Sequence, residues 1–243
     1  MAKPFYVSYE NFSPELENIV ENAIGMFEII GEVKIPRKHI KSNYWFNGDF
    51  GSLDWYINKA YDKERNQART DILWNLFDTE PFQDEEEHHE LVILNSDLFN
   101  LRTNFIYGET RPKVSNDGII FGDFSDDGKK RFVSGSIQSD YRMRQYGSKW
   151  EEAFFSILVH EIGHFYGLAA TNSPNYISEN DPRCKGPLDI RHCNDRYCIM
   201  EQVNIPGRLD LLKKAEFVIQ NNALLFCDDD SSALKKNLKM IYQ

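Results

Sequence analysis

The chain has 243 residues, 41% hydrophobic and 27% charged, which suits a soluble globular protein of one sizeable domain or two subdomains around a cleft. Its net charge of −10 and pI of about 5.1 argue against a nucleic-acid-binding surface. No stretch reaches the length of a membrane span, and the N-terminal MAKPFYVSYENF shows no secretory pattern, so a cytoplasmic location is expected, with no membrane partner.

Ser13-Pro14 reads as a helix start, with Ser13 as N-cap and Pro14 in the first turn. Leu16, Ile19, Val20, Ala23, Ile24 and Phe27 then recur at helical spacing; Gly31 ends the helix, and residues 32–35 read as a short strand. Residues 58–77 predict a second helix, with a polar middle over 62–70 that leaves room for a later start. Strands are predicted at 89–94, 105–107, 118–124 and 130–136. Ser148 and Glu151 match a capping box. The helix after them carries Trp150, Ala153, Phe154, Phe155, Ile157, Leu158, Val159 and Ile162, apolar on nearly every side, so burial is expected. Gly167 stands where that helix must turn away. Residues 171–195 read as a long loop, and helices over 209–225 and 231–241 close the chain. The acidic runs 84–87 and 228–230 read as solvated surface, the second near the positive end of the last helix. His39, His88 and His89 are placed at the surface or a rim.

The chemistry concentrates in His160-Glu161-Ile162-Gly163-His164-Phe165-Tyr166-Gly167, which reads HExxHxxG. Positions i and i+4 share a helix face, so both imidazoles reach one metal ion, and Glu161 beside them is placed to take a proton from a water there. A catalytic zinc takes three protein ligands and keeps a position open. One group of zinc hydrolases extends the motif to HExxHxxGxxH, but residue 170 here is alanine. His192-Cys193-Asn194-Asp195-Arg196-Tyr197-Cys198-Ile199-Met200 offers a replacement, reading HC-x4-C-x-M. Taken by itself His192 is either the third ligand or a loop histidine, with Glu201 or another carboxylate completing the site, and Met200 is either a turn beneath the metal or ordinary core. The four cysteines, Cys184, Cys193, Cys198 and Cys227, all follow this helix; in a reducing compartment, clustered cysteines favour metal over disulfides.

These two motifs resemble the archaemetzincin family of metzincin-type zinc metallopeptidases, with an insertion between HExxHxxG and HC-x4-C-x-M. Weaker similarity runs through residues 66–73, 91–99 and 104–108, and the whole spans roughly 60–230. The resemblance implies an α+β, metzincin-like fold: an N-terminal subdomain, 1–167, with a twisted mixed sheet and the HExxH helix, and a smaller, mostly helical and irregular C-terminal subdomain, 168–243. It implies a catalytic zinc on His160, His164 and His192, with Glu161 as general base and Met200 in the Met-turn. It also implies a second, structural zinc on cysteines. The family ends this motif with FCxxC, whereas here Phe226-Cys227-Asp228-Asp229-Asp230 lacks the last cysteine. Cys184 is the replacement expected, giving a structural site of Cys184, Cys193, Cys198 and Cys227.

The function expected is hydrolysis of peptide bonds in a peptide or protein substrate, lying extended against an edge strand for which 118–124 is the candidate. The alternative is a zinc-stabilised binding or scaffold protein of the same fold with little hydrolytic activity, and a third reading is hydrolysis of a non-peptide amide. Substrate preference and oligomeric state are not written in the motifs.

Overall fold

Phe5–Tyr9 forms the first strand, β1, and all five of its residues are buried. A strand covered on both faces shows no polar alternation, and here Ser8 also breaks the apolar run. It leads into α1, Pro14–Gly31, where the Ser13 hydroxyl accepts the Leu16 N–H at 3.2 Å and so caps the helix as expected. The apolar positions anticipated from spacing, Leu16, Ile19, Val20, Ala23, Ile24 and Phe27, are all buried. The structure is a computed structural model, described over residues 4–41, 53–77, 88–101, 103–111, 135–168, 177, 192–201, 210–221 and 225–243. The expected strand 118–124, the acidic run 84–87, Ala170 and Cys184 lie outside those residues, as does most of the loop 171–195.

Packing groups the chain into two compact units, 1–18 with 35–145, and 19–34 with 146–243. The first holds both sheets. The strand expected at 32–35 is instead β2, Arg37–Ile40, which pairs in parallel with β1. Glu32 takes a left-handed φ of 54° and the Val33 N–H reaches the Glu28 carbonyl at 3.2 Å, so the helix exit uses up the residues expected to be extended. The helix expected over 58–77 is two helices, α2 at Leu53–Ala60 and α3 at Thr70–Phe77, separated by β3, Tyr61–Asp62, and β4, Gln67–Arg69, paired antiparallel. The break has a local cause. The Asp62 carboxylate accepts the N–H groups of Glu64 and Arg65 at 3.0 and 3.1 Å, and Asn66 sits at φ 57°, so a side-chain turn replaces helical bonds.

The strand at His89–Leu94 is present as β5, and its six residues are all buried. It is followed by β6, Leu98–Asn100, β7, Thr103–Ile106, β8, Gly108–Arg111, and β9, Gly135–Ser139. The main sheet has the order β2-β1-β5-β9-β8, parallel except for β8 at the edge. A second sheet runs β3-β4-β6-β7. Leu53, Tyr56, Leu73, Trp74 and Phe77 from α2 and α3 share one apolar core with Val92, Leu94 and Ile137. His88 and His89 are buried rather than at a rim. They lead into the central strand, and His88 meets the cost of burial by stacking on Tyr6 at 4.2 Å and bonding Glu90 at 2.6 Å.

The second unit carries α4, Trp150–Phe165, with α5, Leu211–Asn221, and α6, Asp228–Tyr242. The HExxH helix is therefore grouped with the residues that follow it. The expected capping box does not form: Met143–Lys149 is a 3-10 helix that takes in Ser148, and Lys149 precedes α4 without a side-chain cap. The α4 core is as apolar as anticipated, with Ala153, Phe154, Ile157, Leu158, Val159 and Ile162 buried. No described helix is long and apolar enough to cross a membrane.

Candidate metal centre

α4 supplies two histidines from one face. The rings of His160 and His164 lie 4.7 Å apart between centroids. His160 Nδ1 donates to the Ile199 carbonyl at 2.8 Å, and His164 Nδ1 to the Leu168 carbonyl at a longer 3.4 Å. A carbonyl oxygen only accepts, so each ring carries its proton on Nδ1 and its lone pair on Nε2. The two Nε2 atoms face one another at 3.1 Å. Two lone pairs at that distance repel, and a cation between them converts repulsion into ligation. Zn–N bonds of ~2.0–2.1 Å in tetrahedral geometry place neighbouring nitrogens about 3.3 Å apart, so the pair fits zinc. Burial lowers the His160 pKa to about 4, keeping the ring neutral, as a metal ligand must be.

His192 joins them. Its ring lies 5.4 Å from each of the other two between centroids, and the three histidines bring one ligand atom each within 4.8 Å of one another. Glu161 is half-buried on the same helix. The helix ends at Gly167, at φ 81°, with the Gly167 N–H on the His164 carbonyl and the Leu168 N–H on the Gly163 carbonyl, both at 2.9 Å. This is a Schellman ending, with glycine at the left-handed position as expected. It also brings the Leu168 carbonyl back to His164.

Residues 192–201 fold into a tight loop under the histidines. The Cys193 N–H donates to the Met200 carbonyl at 3.0 Å and the Glu201 N–H to Cys198 at 3.1 Å, so the backbone next to His192 is clamped. Met200 is fully buried, and its sulfur lies where a side chain on Gly163 would be, 2.6 Å from a built Cβ. Gly163 is thus the gap in α4 that admits the methionine. Glu201, the carboxylate weighed as an alternative third ligand, is held elsewhere. It accepts Lys214 Nζ at 2.7 Å, and Lys214 also donates to the Arg196 carbonyl at 2.5 Å. The side chains of this pair are 1% and 7% exposed, so α5 is tied to the loop by a buried ion pair. Burial lowers the Lys214 pKa, and Glu201 works against that fall.

Behind the loop, Cys193, Cys198, Cys227 and Asp230 form a second group with ligand atoms within 4.8 Å of one another. Cys193 Sγ and Cys227 Sγ are 3.9 Å apart, and Asp230 Oδ2 lies 3.0 Å from Cys198 Sγ and 3.5 Å from Cys227 Sγ. None of the three cysteines is in a disulfide. Burial pushes the Cys198 thiol up and raises the Asp230 carboxyl to about 6, while hydrogen bonding from Cys193 and Cys198 draws Cys227 down. The run 228–230 is therefore not a solvated surface throughout: Asp228 and Asp229 are exposed, but Asp230 is 0% exposed.

No protein-family model matches the chain, and no curated protein matches it. Solved structures do. The archaemetzincin of Methanopyrus kandleri matches with a TM-score of 0.57 at 20% identity, over 98% of this chain and 96% of that one. The chain has the archaemetzincin fold. A zinc-dependent peptidase from Methanocorpusculum labreanum matches at 0.53 and 17% identity, over 95% of this chain and 99% of that one. The archaemetzincin of Archaeoglobus fulgidus, solved with malonate, matches at 0.51 and 15%, with the same coverage.

Within this archaemetzincin fold, the sequence-derived residues His160, His164 and His192 come together, as do Cys193, Cys198 and Cys227. Three contributors escaped the sequence reading. Gly163 left a signal, since glycine inside a helix costs about 1 kcal/mol against alanine and so calls for a packing reason. Asp230 is masked in the sequence by its acidic neighbours Asp228 and Asp229, which are exposed. Lys214 left no local signal, because its partner comes from a separate loop.

Proposed function

We propose that this chain is a zinc-dependent metallopeptidase, with His160, His164 and His192 holding the metal and Glu161 as the proton-transfer group. The observation that carries the proposal is the pair of Nε2 lone pairs facing each other at 3.1 Å, their tautomers fixed by backbone carbonyls, with the third imidazole beside them. Solved archaemetzincin-fold structures that include a zinc-dependent peptidase support it.

When bound, zinc supplies a Lewis acid that polarises a peptide carbonyl and brings the pKa of a coordinated water towards ~7. The chain's own groups do the rest. His160 and His164 stay neutral and oriented through Ile199 and Leu168. Glu161 removes a proton from the attacking water and returns it to the leaving amine. Met200 and the clamped loop hold His192 in place. The substrate is a peptide or protein.

Incubation of the zinc-loaded protein with a mixed peptide library tests this reading. Cleavage that stops on chelation and returns with zinc supports it. Stoichiometric zinc with no cleavage of any library member overturns it in favour of a zinc-stabilised binding protein.

A further inference from the structure

We propose that Asp230 is the fourth ligand of a second zinc site, completing a Cys193, Cys198, Cys227 and Asp230 centre in which a carboxylate stands in for a thiolate. This deepens the two-zinc reading of the chain, and the wild-type protein tests that reading separately.

The four groups come from two described segments, 192–201 and 225–243, that bring them together. Cys193 and Cys198 sit on the loop clamped by the Cys193 N–H to Met200 carbonyl bond. Cys227 and Asp230 are three residues apart at the start of α6, so the first helical turn aims both at the same point. The Ile199 N–H bonds the Leu225 carbonyl at 2.7 Å and joins the two segments directly. Tetrahedral zinc with Zn–S of ~2.3 Å and Zn–O of ~2.0–2.2 Å sets sulfurs about 3.8 Å apart and a sulfur and oxygen about 3.5 Å apart. The observed 3.9 Å between Cys193 and Cys227 and 3.5 Å between Cys227 and Asp230 meet those spacings; the 3.0 Å from Cys198 to Asp230 is tighter.

Asp230 lies in the first turn of α6, where the helix N-terminus favours a carboxylate, but that does not account for its burial among sulfurs. It is 0% exposed, its Oδ1 has no hydrogen-bond partner among the described residues, and its Oδ2 accepts from the Cys198 and Cys227 sulfurs. No described lysine or arginine pairs with it. Burying a carboxylate among three thiols is costly unless a cation balances them, and a divalent metal does so while using the same oxygen. Three thiolates and one carboxylate carry the charge that four thiolates would, so the substitution is electrostatically neutral for the site.

Because His192 is bonded to Cys193, the second metal anchors the backbone of a catalytic ligand. The centre is then a positioning device for the histidine site.

Cobalt(II) reconstitution tests the assignment, since thiolate-to-cobalt charge transfer in the near ultraviolet reports sulfur ligands and is blind to a histidine site. The wild type should bind about two metal equivalents and show this band. Asp230→Ala should weaken cobalt binding at the thiolate centre by about tenfold or more, and Asp230→Cys should raise the band by about one-third as three thiolates become four. Cys184→Ser should leave the band and the metal content unchanged. Loss of the band in Cys184→Ser, or an unchanged band in Asp230→Cys with metal still bound, would overturn the role of Asp230 and assign Cys184 instead. A wild type without any thiolate band would remove the second site itself.

Discussion

Gly163→Ala is the sharpest probe of how the helix and the loop below it fit together. In an exposed helix interior this change stabilises by about 1 kcal/mol. Here the new Cβ would lie 2.6 Å from Met200 Sδ and 3.3 Å from its Cε, where ordinary contact begins at 3.4 Å. Met200 is 0% exposed and cannot swing into solvent. Overpacking of this kind costs about 1–3 kcal/mol, so the net change runs from about zero to a loss of about 2 kcal/mol. The methionine belongs to the loop that bears His192, so the displaced sulfur should also loosen zinc. The assay is urea unfolding at fixed free zinc, with zinc affinity measured beside it. Met200→Ala on its own leaves a cavity and costs about 2–5 kcal/mol. Added to Gly163→Ala it opens the space that the alanine needs, giving a favourable coupling of about 0.5–3 kcal/mol in the double-mutant cycle. A Gly163→Ala protein stabilised by the full helix-propensity gain, with zinc affinity intact, would refute the packing argument.

Lys214→Met should destabilise by about 3–5 kcal/mol in denaturant titrations, because it leaves Glu201 buried without its cation; Lys214→Met with Glu201→Leu should lose much less. Equal losses in the single and double variants would show that the pair is not coupled. In the metal-free protein, folding holds His160 near 4 against an ordinary 6.5, so the unfolded chain takes up the proton first as pH falls. Its contribution is complete above about pH 6.5 and is lost progressively towards pH 4, and a His160→Gln variant should flatten that part of the stability–pH curve. A curve unchanged by the substitution would contradict it. His192→Ala should lower zinc affinity at the histidine site by about tenfold or more while leaving the thiolate centre loaded, as read by metal analysis.

The parts of this molecule written locally were legible, and those written across the chain were not. HExxHxxG and its glycine ending are a continuous helical segment, so spacing alone located His160, His164 and Gly167. His192 came from the HC-x4-C-x-M motif, whose residues the loop's own backbone bonds hold together. The break between α2 and α3 was missed because the Asp62 turn and the left-handed Asn66 outweigh helical propensity in a polar stretch. β1 has no alternation, and its apolar run is broken at Ser8, whereas the equally buried β5 was legible from the unbroken apolar run 91–94. The capping box at Ser148 failed because a 3-10 helix occupies its place. Asp230 looked like surface because its two neighbours are exposed, and only the approach of Cys193 and Cys198 reveals what it faces.

The most direct measurement compares wild type with Glu161→Gln on a peptide that the wild type cleaves, at equal zinc content. Gln keeps the size of the side chain and removes the base. The predicted result is an unchanged zinc stoichiometry with a rate about 10²–10⁴-fold lower. Glu161→Gln protein that cleaves at the wild-type rate would contradict the proposed site.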